Sequence, residues 1–89
     1  MNVEYRKLFL KDLKKLKNQP IYQQIYDLVF KTLLDAQSLQ DLSGVKALVG
    51  TTNQYRLRVG EYRIGLELNK DTLEVVRVLH RREFYRYFP

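Results

Sequence analysis

Three arginines stand close together in Tyr55-Arg56-Leu57-Arg58-Val59-Gly60-Glu61-Tyr62-Arg63-Ile64-Gly65. A guanidinium is a planar, permanently charged fork that can grip a phosphate through two hydrogen bonds. Apolar residues alternate with the first two arginines at period two, the pattern of a strand with one dry face. Gly60-Glu61 suits a two-residue II′ turn, which takes Gly at its first position. The register follows: Val59 faces Tyr62, Arg58 faces Arg63, Leu57 faces Ile64 and Arg56 faces Gly65. One face of this hairpin is apolar. The other carries Arg56, Arg58 and Arg63 around a gap at Gly65. Like charges directly opposite each other cost a strand pair about 0.2–1 kcal/mol. Stability alone would place Thr, Glu or Val at one of these positions, so the three arginines read as a phosphate cradle. The competing reading is a solvated face on which Glu67 supplies a partial counter-charge.

A second cluster follows in His80-Arg81-Arg82-Glu83-Phe84-Tyr85-Arg86-Tyr87. His80 suits an acid/base role, because histidine alone titrates unperturbed near neutrality. It equally suits a structural hydrogen bond at a strand end. Tyr85 suits stacking on a nucleobase, or packing of the terminal segment on the sheet. Tyr87 and Phe88 read as packing residues. There is no Gly-rich phosphate loop, Ser/His/Asp set or zinc motif. With one histidine, no cysteine and ten scattered acids, the expectation is an enzyme without metal or cofactor, if it is an enzyme.

The chain has 89 residues, which fits one domain spanning 1–89. A hydrophobic content of 45%, with seven Tyr and four Phe, is too apolar for disorder. The net charge of +6 favours a polyanionic partner. Seven of the eight arginines follow residue 54, whereas seven of the eight lysines precede it. The start lacks the profile of a signal peptide, and no apolar run reaches the ~18–20 residues of a membrane span. The expected compartment is the cytoplasm, with no membrane partner.

The elements that must position the arginines are legible in outline. Val3 and Tyr5 alternate as in a short edge strand. Phe9, Leu13 and Leu16 recur at i, i+4, i+7 among lysines, which predicts an amphipathic helix with a basic outer face. Pro20 opens a second helix with the stripe Ile21, Ile25, Leu28, Val29, Thr32 and Ala36. Residues 38–53 read as irregular, with turn signals at Ser43-Gly44 and Gly50. Strands over 55–59, 62–68 and 73–79 follow, and a last helical turn or two over 81–88. In the third strand Leu73, Val75 and Leu79 take the apolar face, but Arg77 then falls there too. Either Arg77 sits at a sheet margin or a bulge shifts the parity. The fold class is α+β: a leading strand, a helical hairpin, a three-stranded antiparallel meander forming one sheet, and a short C-terminal helical segment.

Leu42-Ser43-Gly44-Val45-Lys46-Ala47-Leu48-Val49-Gly50, Tyr55 to Ile64, and Val78-Leu79-His80-Arg81-Arg82-Glu83-Phe84-Tyr85-Arg86 together resemble the RelE branch of the RelE/ParE toxin superfamily. The resemblance spans nearly the whole chain. It implies the toxin half of a type II toxin–antitoxin pair, with a cognate antitoxin as partner. It also implies a ribosome-dependent endonuclease that cuts mRNA in the ribosomal A site, beside ribosomal RNA, by 2′-OH attack on the adjacent phosphate. Carried over, Arg63 binds the scissile phosphate, Arg81 stabilises the transition state and Tyr85 stacks on or orients a base. Arg56, Lys46 and Arg82 become further RNA contacts. Arg56 and Arg58 stand where some relatives carry lysines, one of them proposed as general base, a role that a permanently charged guanidinium fills poorly. Arg58 is therefore expected to hold phosphate, leaving proton transfer to His80, the ribosome or water. The alternative within the superfamily is a ParE-like toxin that poisons DNA gyrase without cutting RNA.

Overall fold

The computed structural model describes residues 1–89. The chain runs β1 (Asn2–Tyr5), α1 (Lys7–Lys15), α2 (Tyr22–Asp27), a π-turn (Leu28–Thr32), α3 (Leu33–Asp35), a 3₁₀ turn (Leu39–Asp41), β2 (Val45–Ala47), β3 (Gln54–Val59), β4 (Tyr62–Asn69), β5 (Thr72–His80) and α4 (Arg81–Tyr87). The five strands form one sheet in the order β1-β5-β4-β3-β2. The β1–β5 pair is parallel and the others are antiparallel. The α+β class, leading strand, helical hairpin, meander and terminal helix match the reading of the sequence. No helix is long and apolar enough to cross a membrane.

One strand was not expected. Val45-Lys46-Ala47 lies in the segment read as irregular, yet pairs with Leu57, Arg56 and Tyr55 as β2. Three residues between glycine turns are too few to display a period, so only the neighbouring strand's edge reveals them.

The helices supply the inner layer. Phe9 and Leu13 of α1, with Ile25, Val29 and Leu33 of the second helical rod, bury against Leu57, Val59, Ile64, Leu66, Leu73, Val75 and Val78. The rod departs from its expected stripe. Thr32 is exposed and Leu33 buried in its place. The Leu33 N–H bonds the Leu28 carbonyl five residues back, so the π-turn inserts a residue and moves the stripe by one. Pro20 lies in the turn before α2 rather than inside it.

The two readings of Arg77 resolve in favour of the bulge. Gly65 pairs with Arg77 and Leu66 with Val75, which leaves Val76 without a partner. Beyond it the parity of β5 reverses. Val78 enters the core while Arg77 and Leu79 turn to the outer face. Arg77 then reaches Asp12 of α1 as a two-pronged ion pair, Nε–Oδ2 at 2.7 Å and Nη2–Oδ1 at 3.0 Å. Asp12 is buried and also accepts the Val78 N–H at 3.2 Å. The hydrogen bonds to Asp12 hold the Arg77 guanidinium above the usual arginine range. β1 covers β5 only as far as Val75, and Asp12 takes over the open edge beyond it. The reading of the sequence passed over Asp12, although Phe9, Asp12, Leu13 and Leu16 make an i, i+3, i+4, i+7 set with one acid in it.

α4 packs on the outer face, opposite α1 and α2. Phe84 and Phe88 are buried, and a Cβ added at Gly65 would lie 2.8 Å from the Phe88 ring. The gap expected among the arginines is therefore filled by Phe88. Gly65→Ala should overpack the contact and cost about 1–3 kcal/mol. Phe88→Ala should destabilise by cavity formation, and the double variant should cost less than the two singles summed. Thermal melts of the four proteins check this; strict additivity would show that the ring and the glycine are not in contact.

Candidate nucleic-acid interface

The β3–β4 hairpin has the register expected of it, from Val59↔Tyr62 through Arg58↔Arg63 and Leu57↔Ile64 to Arg56↔Gly65. Gly60 turns the chain with φ of 57°, a left-handed value that favours glycine. Pairing extends the outer face across four strands. Lys46 flanks Arg56, which flanks Gly65 and then Arg77; Arg58 flanks Arg63, which flanks Leu79.

The Arg56 and Arg63 guanidinium groups are held by the backbone rather than by acids. Arg56 donates to the Gly44 carbonyl at 2.9 Å. Arg63 donates to the carbonyls of Gly60 at 2.9 Å and Tyr62 at 3.0 Å. Arg63 thus braces the turn instead of standing free of it. Arg58 is exposed. None of these three forms an ion pair. Burial, then the nearby charges of Arg56 and Arg58, hold the Arg63 guanidinium below the usual arginine range; Tyr85 opposes this and Arg81 adds to it. That response ties all five side chains into one electrostatic cluster. Arg81 is anchored at the same end of the sheet. Its N–H donates to the Glu61 carbonyl at 2.8 Å, and its Nε pairs with the Glu61 carboxylate at 2.8 Å.

Tyr85 is 60% exposed, with its ring edge-on to Phe84 at 4.9 Å. It walls a groove of about 320 Å³ together with Arg56, Lys46, Leu48, Val49 and Pro89. An open aromatic ring beside cations on a pleated floor can stack a base while the cations hold its phosphate. Another cavity, of about 490 Å³, lies elsewhere, between the N-terminus and the β4–β5 turn, and no arginine lines it.

Two expected participants stand apart. His80 pairs with Tyr62, and its ring meets Tyr62 edge-on at 5.4 Å on the side of the sheet that α1 and α2 cover. Its Nδ1 accepts the Arg82 N–H at 3.2 Å and caps α4. The structure therefore does not bring His80 to the arginine face; the parity change at Val76 sends it to the other side. Arg82 is exposed on the first turn of α4. No three acids or histidines gather as a metal-ligand set.

Arg6, the one arginine before residue 54, plays a part that spacing does not reveal. At the far end of the same outer face Glu67 and Glu74 stand directly opposite each other. Arg6 pairs with both, and Asn69 donates to Glu74. Glu67 is therefore taken by Arg6 and does not serve as counter-charge to the hairpin arginines. The Arg6 and Asn69 hydrogen bonds hold the Glu74 carboxyl below the usual range. A depressed carboxyl contributes stability above its unfolded pKa of ~4.3 and loses it as pH falls through the folded value. Arg6→Met should therefore destabilise at pH 7 and much less at acid pH, so the two melting curves converge below the carboxylate range. Arg58→Ala, which breaks no ion pair, should leave the neutral-pH melt within about 0.5 kcal/mol of wild type or raise it. A pH series of thermal melts reads both.

Residues 3–85 match the family model for the ParE toxin of type II toxin–antitoxin systems. Toxin RelE3 of Methanocaldococcus jannaschii is 44% identical over 90 residues, covering 100% of both chains. Among solved structures, the RelB–RelE antitoxin–toxin complex from Methanococcus jannaschii superposes with a TM-score of 0.76 at 38% identity, over 97% of this chain and 99% of that one. The toxin–antitoxin complex RelBE2 from Mycobacterium tuberculosis gives 0.68 at 25% identity, over 90% of this chain and 96% of that one.

Proposed function

Since the chain belongs to the ParE toxin family of type II toxin–antitoxin systems, and is a RelE-like toxin, we propose that it cuts mRNA in the ribosomal A site. One contrast carries the reading. On a single sheet face the like-charged pair Glu67/Glu74 is neutralised by Arg6, while the like-charged pair Arg58/Arg63 forms no ion pair. The fold can supply a counter-ion on this face and does not supply one to Arg58 or Arg63. A phosphate backbone is the anion that such a face fits.

In the proposed reaction the ribose 2′-oxygen attacks the adjacent phosphorus. The P–O2′ bond forms and the P–O5′ bond breaks. The 2′-proton passes to water or to a ribosomal group, and the departing 5′-oxygen takes up a proton, leaving a cyclic phosphate and a 5′-OH. Arg63, already fixed by two carbonyls, faces the charge developing on the phosphate, where a preorganised donor is most effective. Arg58 holds the phosphate and favours the 2′-oxyanion electrostatically. Arg81, steadied by Glu61, stabilises the leaving oxygen. Tyr85 stacks the base beside the cut, with Arg56, Lys46 and Arg82 along the backbone. His80 serves as the cap of α4. The toxin acts in the cytoplasm, and its cognate antitoxin covers the arginines or displaces the Tyr85 segment. The solved complexes of RelE relatives support that partner.

Single-turnover cleavage on programmed ribosomes tests this, paired with thermal melts. Arg63→Ala should lose about 10²–10³-fold in rate, the effect of one electrostatic donor. Its melt should stay within about 1–2 kcal/mol, the net worth of its carbonyl bonds. Tyr85→Phe should keep most activity and Tyr85→Ala lose much of it. His80→Ala should cut at the wild-type rate. Wild-type cleavage by Arg63→Ala would overturn the mechanism, and a chain that instead blocks DNA supercoiling by gyrase would be the ParE-like alternative. Cleavage should also persist when free divalent ions are chelated, provided the ribosomes stay intact; strict dependence on an added ion at the cutting step would contradict the chemistry.

A further inference from the structure

Tyr87 was expected to pack and is instead 52% exposed. Its ring is nonetheless engaged: the Arg77 guanidinium carbon lies 5.7 Å from the ring centroid. That guanidinium is not a free surface charge. Both prongs are fixed by the buried Asp12 carboxylate, which also holds the Val78 N–H. A cation pinned in this way is a rigid anchor, so an aromatic face resting on it inherits its position.

We propose that Tyr87 is a positioning residue: its ring, held against the Asp12-bound Arg77, fixes the last turn of α4 and thereby aims Tyr85 at the arginine face. α4 is short, Arg81–Tyr87, and Phe84 and Phe88 are its two buried anchors. Those two lie on the sheet-facing side and set the depth of the helix. The Arg77–Tyr87 contact adds an attachment at the edge toward α1, and so resists rolling of the helix about its axis. Tyr85 stands at the groove with Arg56 and Lys46, where such a roll would swing its ring away. The consequence for cleavage rests on the proposed function; the clamp itself does not.

Two substitutions at Tyr87 test the clamp without disturbing the buried ion pair. Tyr87→Phe keeps a ring face for the cation and Tyr87→Leu removes it. Amide hydrogen exchange reads α4 directly, with the Phe88 N–H, bonded to the Phe84 carbonyl at 2.9 Å, as reporter and the buried strand residue Ile64 as control. Tyr87→Leu should exchange about two- to fivefold faster at the reporter, the loss of one exposed cation–π contact. Ile64 reads the part of this change that comes from global unfolding, the thermal midpoint should fall by no more than about 8 °C, and Tyr87→Phe should match wild type. On programmed ribosomes, Tyr87→Leu should lower the rate at saturating toxin by a similar factor, with an unchanged half-saturating concentration and rescue by Tyr87→Phe. Unchanged reporter exchange in Tyr87→Leu overturns the clamp whatever the cleavage result. Faster exchange with a wild-type cleavage rate overturns the positioning role. A wild-type chain that does not cut defeats the proposed function instead, and the exchange data then decide the clamp alone.

Discussion

A carboxylate buried at the end of a sheet edge must be satisfied, and Asp12 is satisfied from one place, the stretch of β5 just past the Val76 bulge. A buried unpaired charge costs several kcal/mol, whereas one held by a bidentate guanidinium and a backbone N–H is tolerated. This requirement couples three features that look separate. It docks α1 against β5 where β1 stops. It holds Arg77 on the outer face, which requires the extra residue in the strand. With the parity reversed there, Leu79 also faces outward while Val78 and His80 face inward. The chain therefore leaves β5 in a phase that lays α4 across the outer face. Without the bulge, Arg77 and Leu79 would fall on the core side. Tyr85 and Arg81 owe their place beside the arginine hairpin to that one unpaired residue.

The outer face is divided by charge. At one end Glu67, Glu74, Arg6 and Asn69 form a closed set in which each carboxylate has a partner. At the other end Arg56, Arg58 and Arg63 repel one another, and Arg56 and Arg63 lean on carbonyl oxygens. Phe88, buried over Gly65, lies between the two ends. Repulsion among exposed arginines costs only tenths of a kcal/mol per pair in water. A domain whose inner face buries Phe9, Ile25, Val29, Leu33, Ile64 and Leu66 tolerates that strain. The arrangement is inexpensive to keep and strongly favourable once an anion arrives, because bringing in the anion removes the repulsion and adds charge-assisted hydrogen bonds together.

What the sequence disclosed follows the range of the interaction. The hairpin register was readable to the residue because a two-residue turn with glycine first fixes it locally. The helices were readable because burial imposes a period. The bulge was readable only as a dilemma over Arg77, since Val76 resembles every other valine in a strand and Asp12, the partner of Arg77, lies 65 residues from that arginine. Phe88 filling the place opposite Gly65 was not readable at all; a glycine in a strand signals a close approach but not what approaches. The side of the sheet that His80 takes was hidden for the same reason. Its chemistry fits catalysis, and only the parity shift four residues earlier sends it to the far side of the sheet. The roles of single side chains were legible where they depended on a neighbour in the chain and illegible where they depended on contacts from elsewhere in it.

An uncompensated arginine face also constrains how the proposed activity could be controlled. RNA and an acidic antitoxin segment present the same complement to Arg56, Arg58 and Arg63, so on the proposed reading the two compete for one surface. Competition of this kind needs no conformational signal. It does need the partner to exceed the affinity of a polyanion, and charge alone cannot provide that, because both ligands gain from it and both lose it to salt. The additional affinity must come from contacts that RNA cannot make. Leu8, Leu10, Tyr26 and Leu34 are exposed apolar residues on the helical hairpin, across the sheet from the arginines. A peptide long enough to touch both layers would combine charge on one side with apolar burial on the other, and burial is the component that rising salt does not erode.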